Sequence, residues 1–157
     1  MRWIVAACLV LAVACNAPSP AFRGIAPVRV SVEGSSFDLR IRGRHAQAIR
    51  VSREWAPRMA SVAPRAAAAI SAVSGCEAPR LWGDQAMIEA VLICTPVARA
   101  AQGRARPHAC RAVPTHRRLT EMACQPVAGE NDFSMKIELG ASGQVPKGPR
   151  GAKPWRA

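Results

Sequence analysis

The chain contains no tyrosine, and aromatic residues make up only 4% of its 157 residues. Proteins that hold single-stranded nucleic acid use aromatic side chains as stacking platforms. This poverty counts against a nucleic-acid partner, whatever the charge. Acidic residues are also scarce: 10 Asp and Glu stand against 22 Lys and Arg, a formal charge of +12. The few carboxylates show no pairing of the kind acid–base hydrolysis uses. Long apolar runs are missing too. The N-terminal run "WIVAACLVLAVA" covers residues 3–14, short of the roughly 20 residues that cross a bilayer core. The later stretch "AMIEAVLIC", Ala86 to Cys94, has strand length and carries Glu89. No Cys-x-x-Cys, G-x-S-x-G, H-E-x-x-H, Ser-x-x-Lys or phosphate-cradling glycine loop occurs, so the usual metal, acyl-transfer and nucleotide signatures are absent. The sequence therefore predicts neither an enzyme nor a bound cofactor.

What is present begins with Met1 and Arg2, a short positive start before the apolar run. That order is the pattern of a secretory signal. Ala12-Val13-Ala14 is a small-x-small cleavage pattern, and Cys15 follows it. The same residues resemble the lipobox of bacterial lipoproteins, with Ala12 where leucine is commonest. That resemblance implies thioether lipidation of Cys15 and an acylated N-terminus, and several acyl chains anchor stably where one binds marginally. Cleavage by the general peptidase, or near Ala17 or Ala21, is the competing expectation. The division that follows is 1–14 signal, 15–24 Pro-rich tether, 25–95 core domain, 96–140 disulfide-linked extension and 141–157 disordered basic tail.

Six cysteines are present. Cys8 leaves with the signal, and Cys76, Cys94, Cys110 and Cys124 make an even set in a chain sent to an oxidising compartment. Three pairings are open to four cysteines. The sequential one, Cys76–Cys94 with Cys110–Cys124, is favoured because both loops are short. A retained, unmodified Cys15 would be an odd exposed thiol, and lipidation or removal avoids it.

"PVRVSVEGSSFDLRIRG", Pro27 to Gly43, alternates apolar and polar residues on both sides of Gly34-Ser35. A two-residue turn with glycine first sets Val32 opposite Phe37, Val30 opposite Leu39 and Val28 opposite Ile41, all on one face. "HAQAIRVSREWAPRMASVAP" is compatible with a short helix or an extended edge. A helix follows with Pro64 in its first turn and Gly75 as its stop. "PRLWGDQAMIEAVLIC" reads as a second hairpin turning at Gly83-Asp84. Beyond Cys94 the chain reads as irregular, "LTEMAC" as one helical turn, and "DFSMKIELG" as a late strand. The predicted fold is α+β: a small antiparallel sheet, β-β-α-β-β plus a fifth strand, with one helix on one face.

"AIRVSREWAPR" (Ala48 to Arg58), "VSGC" (Val73 to Cys76) and "GDQA" (Gly83 to Ala86) resemble small exported, lipoprotein-like proteins of Rhodobacter-type bacteria. The likeness covers roughly Phe22 to Cys94. It implies export and an anchored small domain, and it implies no activity.

Arginine with abundant alanine is also what a GC-rich genome writes by default. The charge still favours anionic surfaces, and the tail residues Lys147, Arg150, Lys153, Trp155 and Arg156 suit an anionic envelope component. The leading expectation is a non-enzymatic, membrane-anchored envelope protein facing the periplasm, with a structural or interaction role. A rival builds a periplasmic metal site or small enzyme on His108, Cys110 and His116, and a third is a soluble periplasmic module that binds anionic surfaces. His45 could pair with Asp38 or Asp84, although a surface histidine explains it as simply.

Overall fold

Alternation of valine with polar residues forms β1 (Val28–Val32), and the matching pattern forms β2 (Ser35–Arg42). The turn between them lies one residue earlier than the sequence predicts. Glu33 and Gly34 are its central pair, with φ of 46° and 79°. Two positive φ values make the twist match that of the strands. Val30 therefore faces Phe37, and Val28 faces Leu39, a register two residues from the expected one. A shift of two keeps every side chain on its face, so Val28, Val30, Val32, Phe37 and Leu39 are all buried together. The glycine-first turn occurs at the next reversal instead. Gly43, at φ 58°, and Arg44 join β2 to β3 (His45–Arg50). This segment is an interior strand, neither a helix nor an edge: it pairs with β2 on one side and β5 (Met87–Ile93) on the other.

The computed structural model describes residues 17–96, 102–114, 120–128 and 134–138. Its single sheet has eight antiparallel strands in the order β6-β7-β4-β5-β3-β2-β1-β8. β4 is Glu77–Gly83, β6 His108–Val113, β7 Thr120–Pro126 and β8 Met135–Glu138. The "LTEMAC" segment thus corrects from helix to strand. Its alternating Met122 and Cys124 are buried, and ladder bonds to β4 and β6 on both sides outweigh a local turn. The described part of the late strand pairs with β1.

Helix α1 runs Met59–Ser74. It starts a turn before the expected point, with Pro64 inside it. The proline leaves the Ala60 carbonyl without a helical donor, and Ala60 is exposed, so water can serve it. Gly75 ends the helix in the left-handed region at φ 65°. Its last carbonyls are met from a later segment: Gly103 N–H donates to Ala72 O and Gln102 Nε2 to Val73 O, each at 2.8 Å.

The five consecutive residues Ala66 to Ile70 are all buried. Consecutive burial means cover on more than one side, since successive helical side chains point about 100° apart. A flat eight-stranded sheet would be about 34 Å wide, roughly three times a helix's diameter. The sheet curls instead, and α1 packs against β1, β2 and β3 as well as β4, β6 and β7. Alanine lets strands approach this helix closely. Among the described residues, no helix is long and apolar enough to cross a membrane.

Both bridges have the sequential pairing. Cys76–Cys94 brackets the β4–β5 hairpin, and Cys110–Cys124 joins directly opposed residues of β6 and β7. They fit a chain that folds in an oxidising compartment.

Candidate functional site

The outer face of the sheet, away from α1, carries a row of buried and half-buried polar side chains. Arg40 on β2, Gln47 on β3, Glu89 on β5 and Trp82 on β4 are successive neighbours across the strands. Gln47 is fully buried although its face points away from the core. The cover is the N-terminal segment, residues 17–26. Part of it, residues 17–24, is predicted from sequence to be a free tether. It instead lies on the sheet, because Phe22 buries its ring (3% exposed) and Ser19 finds polar partners. Ser19 Oγ donates to Glu89 Oε1 at 2.7 Å and accepts from Gln47 Nε2 at 2.8 Å. Gln47 Nε2 also lies 3.0 Å from Glu89 Oε1. Further along, Arg40 Nε donates to Ile25 O and Arg42 Nη1 to Ala21 O, at 3.2 and 2.8 Å. We call this segment the strap.

Strap and strands enclose a cleft of about 270 Å³ lined by Ala21, Phe22, Arg42, His45, Trp82 and Glu89. Drug-sized ligands occupy sites of about 300–1,000 Å³, so this cleft suits something smaller. Its walls are apolar at Phe22 and Trp82. Glu89 supplies an acceptor, Arg42 a donor, and His45 can be either. The lining thus offers a ligand hydrogen bonds of both kinds. Beneath the strap, Arg40 Nη1 and Gln47 Oε1 are buried without a protein partner. They are a donor and an acceptor on directly paired residues, and leaving such groups unmet costs about 1–3 kcal/mol each. The strap therefore covers this row with incomplete satisfaction.

His45 is exposed at the rim of the cleft. Asp38, its suggested partner, instead takes a bidentate pair from Arg29 opposite, at 2.8 and 3.0 Å. Asp84 serves the β4–β5 turn: its Oδ1 accepts from Ala86 N and Met87 N at 2.7 and 2.8 Å. That places Gln85-Ala86 at the tip of the hairpin, two residues past the predicted turn.

Of the suggested metal ligands, His108 and Cys110 fall among the described residues. Cys110 is bonded to Cys124, so neither offers a thiolate. His108 is buried, its Nδ1 lies 2.8 Å from Arg106 O, and burial holds its imidazole pKa below the usual 6.5. Among the described residues no group of three or more His, Cys, Asp or Glu is placed to hold a metal. A second, small cavity of about 30 Å³ lies between His108, Ser71, Glu77 and Cys76. The buried Ser71 hydroxyl has no protein partner there, and the space suits one water-sized polar molecule. Cys15, His116, Lys147, Arg150, Lys153, Trp155 and Arg156 lie outside the described residues.

Sequence reasoning missed Ser19, Gln47 and Glu89 as a linked group. A signal existed: Glu89 is the sole charge in an apolar strand, and Gln47 sits among alanines and isoleucine. Nothing local, however, reveals that a segment from far upstream covers them. No protein-family model matches this chain, and neither a curated protein nor a solved structure does.

Proposed function

We propose that this chain is an exported envelope protein, anchored in the membrane through a lipidated Cys15, that displays a small disulfide-stabilised domain with a structural or interaction role and no catalysis of its own. The observation that carries the reading is the use of cysteine. All four cysteines among the described residues are paired within the domain, which suits an oxidising compartment. The apolar N-terminal run ending at Cys15 supplies the route there. The resemblance of "AIRVSREWAPR" to exported, lipoprotein-like proteins supports the same destination. The strap adds a geometric support: folded structure begins within a few residues of Cys15, so an anchor would hold the domain close to the membrane. Mass spectrometry of the mature N-terminus tests this. A peptide starting at an acylated Cys15 is expected, and an unmodified terminus at or after that residue removes the anchor.

The cleft supports a second reading, a soluble periplasmic module that binds through the sheet's outer face. Fractionation separates the two: the anchored form stays with membranes at high salt, and the soluble form does not.

A further inference from the structure

The loop from Val51 to Arg58 joins β3 to α1, and the cleft uses none of it. Its Trp55 is 98% exposed, although tryptophan is highly buried on average. The loop is not loosely held. Val51 N–H donates to Ser36 O at 2.8 Å, and Ser36 N–H donates to Ser52 Oγ at 3.1 Å. Glu54 turns inward, where it accepts from the buried Ser35 hydroxyl and from Arg65 at 3.1 Å. Its side chain is only 18% exposed. Next to Trp55, Ala56 adopts φ 45°, a conformation uncommon outside glycine. Arg53 and Arg58, two positions before Trp55 and three after it, are both exposed. The loop thus withdraws its one carboxylate, pairs it with Arg65, and leaves an indole and two arginines exposed.

We propose that this loop is a docking surface for an anionic membrane, with Trp55 entering the headgroup layer and Arg53 and Arg58 meeting lipid phosphates. Tryptophan favours that depth because its ring is apolar and its N–H polar. Arginine near an anionic leaflet is drawn to it. The inference deepens the envelope reading and rests on it for a membrane to be at hand.

Flotation of the full-length chain with vesicles tests the loop. Phosphatidylcholine vesicles are compared with vesicles containing phosphatidylglycerol, and the excess binding to the anionic set is measured. Trp55→Ala and the double variant Arg53→Gln/Arg58→Gln are each expected to lower that excess on the order of tenfold. The wild-type excess should also shrink with salt. Since Trp55 is exposed, the fold should survive its loss. An excess unchanged by both variants, or one abolished only by deleting residues 141–157, overturns the proposal. So does equal binding to both vesicle types, or a Trp55-dependent self-association without lipid, which would make the partner a protein. The N-terminal mass is independent of these arms: an unmodified Cys15 with a Trp55-dependent excess removes the anchor and keeps the loop.

Discussion

Gly83 occupies a position that no other residue fits. Its φ is 128°, and a Cβ there would stand 2.1 Å from the Met87 carbonyl oxygen. That oxygen closes the β4–β5 turn by accepting from Asp84 N–H, so it cannot move aside without opening the hairpin. Gly83→Ala is expected to cost at least about 3 kcal/mol, measured by denaturant unfolding. His108 makes the second prediction at this scale. Burial disfavours its imidazolium, outweighing the Arg106 carbonyl and Glu77, which favour it. Its folded pKa is therefore lowered from 6.5. Below that value the unfolded chain takes up a proton that the folded chain resists, so this contribution to stability is full above pH 6.5 and is lost on acidification. Unfolding midpoints should fall as pH drops below 6.5, and His108→Gln should flatten the fall. Single residues also mark where the sequence was readable. Gly75 as helix stop and the apolar set of β1 and β2 were legible, because φ preference and alternation are local. Glu33 in a positive-φ turn was not, since nothing in its chemistry asks for that conformation.

At the scale of elements, α1 and the strands were legible in kind more than in place. Period-two alternation found β1, β2 and β8, and a long apolar run after a turn signal found β5. Alternation failed at β3, where "AQAI", Ala46 to Ile49, is buried on both faces and so shows no alternation. It failed again at β6 and β7, where exposed arginine and a cysteine pair obscure the pattern. The helix has its own test. Ala68 is completely buried, and its small size lets the curled sheet close. Ala68→Leu should overpack the interior and cost about 1–3 kcal/mol or more. Ala60→Leu on the exposed side of the same helix should change stability by less than about 0.5 kcal/mol. Thermal unfolding of the two variants separates packing from helix propensity. Comparable losses for both would show that α1 is not enclosed as described. The strap is the element that sequence concealed most fully: a proline-rich stretch carries no periodicity, and its role depends on strands that come later.

For the whole molecule, the cysteine parity argument anticipated both bridges, since short loops favour sequential pairing. Each bridge closes a separation of 18 or 14 residues. Replacing either pair by alanine should cost about 3 kcal/mol by the chain-entropy account, read from denaturant midpoints. Alkylation of the native protein without reductant should leave Cys76, Cys94, Cys110 and Cys124 unlabelled. The candidate site was far less legible than the fold. The rim histidine was noticed, yet the row from Arg40 to Trp82 exists only once four strands and the strap have come together.

The pairing of β1 with β8 sets an order on assembly. Ser134 N–H donates to the Glu33 carboxylate across 101 residues of sequence. A ribosome releases the N-terminal strands first, so β1, β2 and β3 can form a meander while β8 is still unmade. Throughout that interval the outer rim of β1 offers unpaired backbone donors and acceptors, a template for the strands of other chains. None of the paired cysteines lies in that early unit, so oxidation cannot protect it. On this account the vulnerable period is the chain's synthesis, and a holdase that shields strand edges during that time is expected to raise its yield more than a disulfide catalyst does.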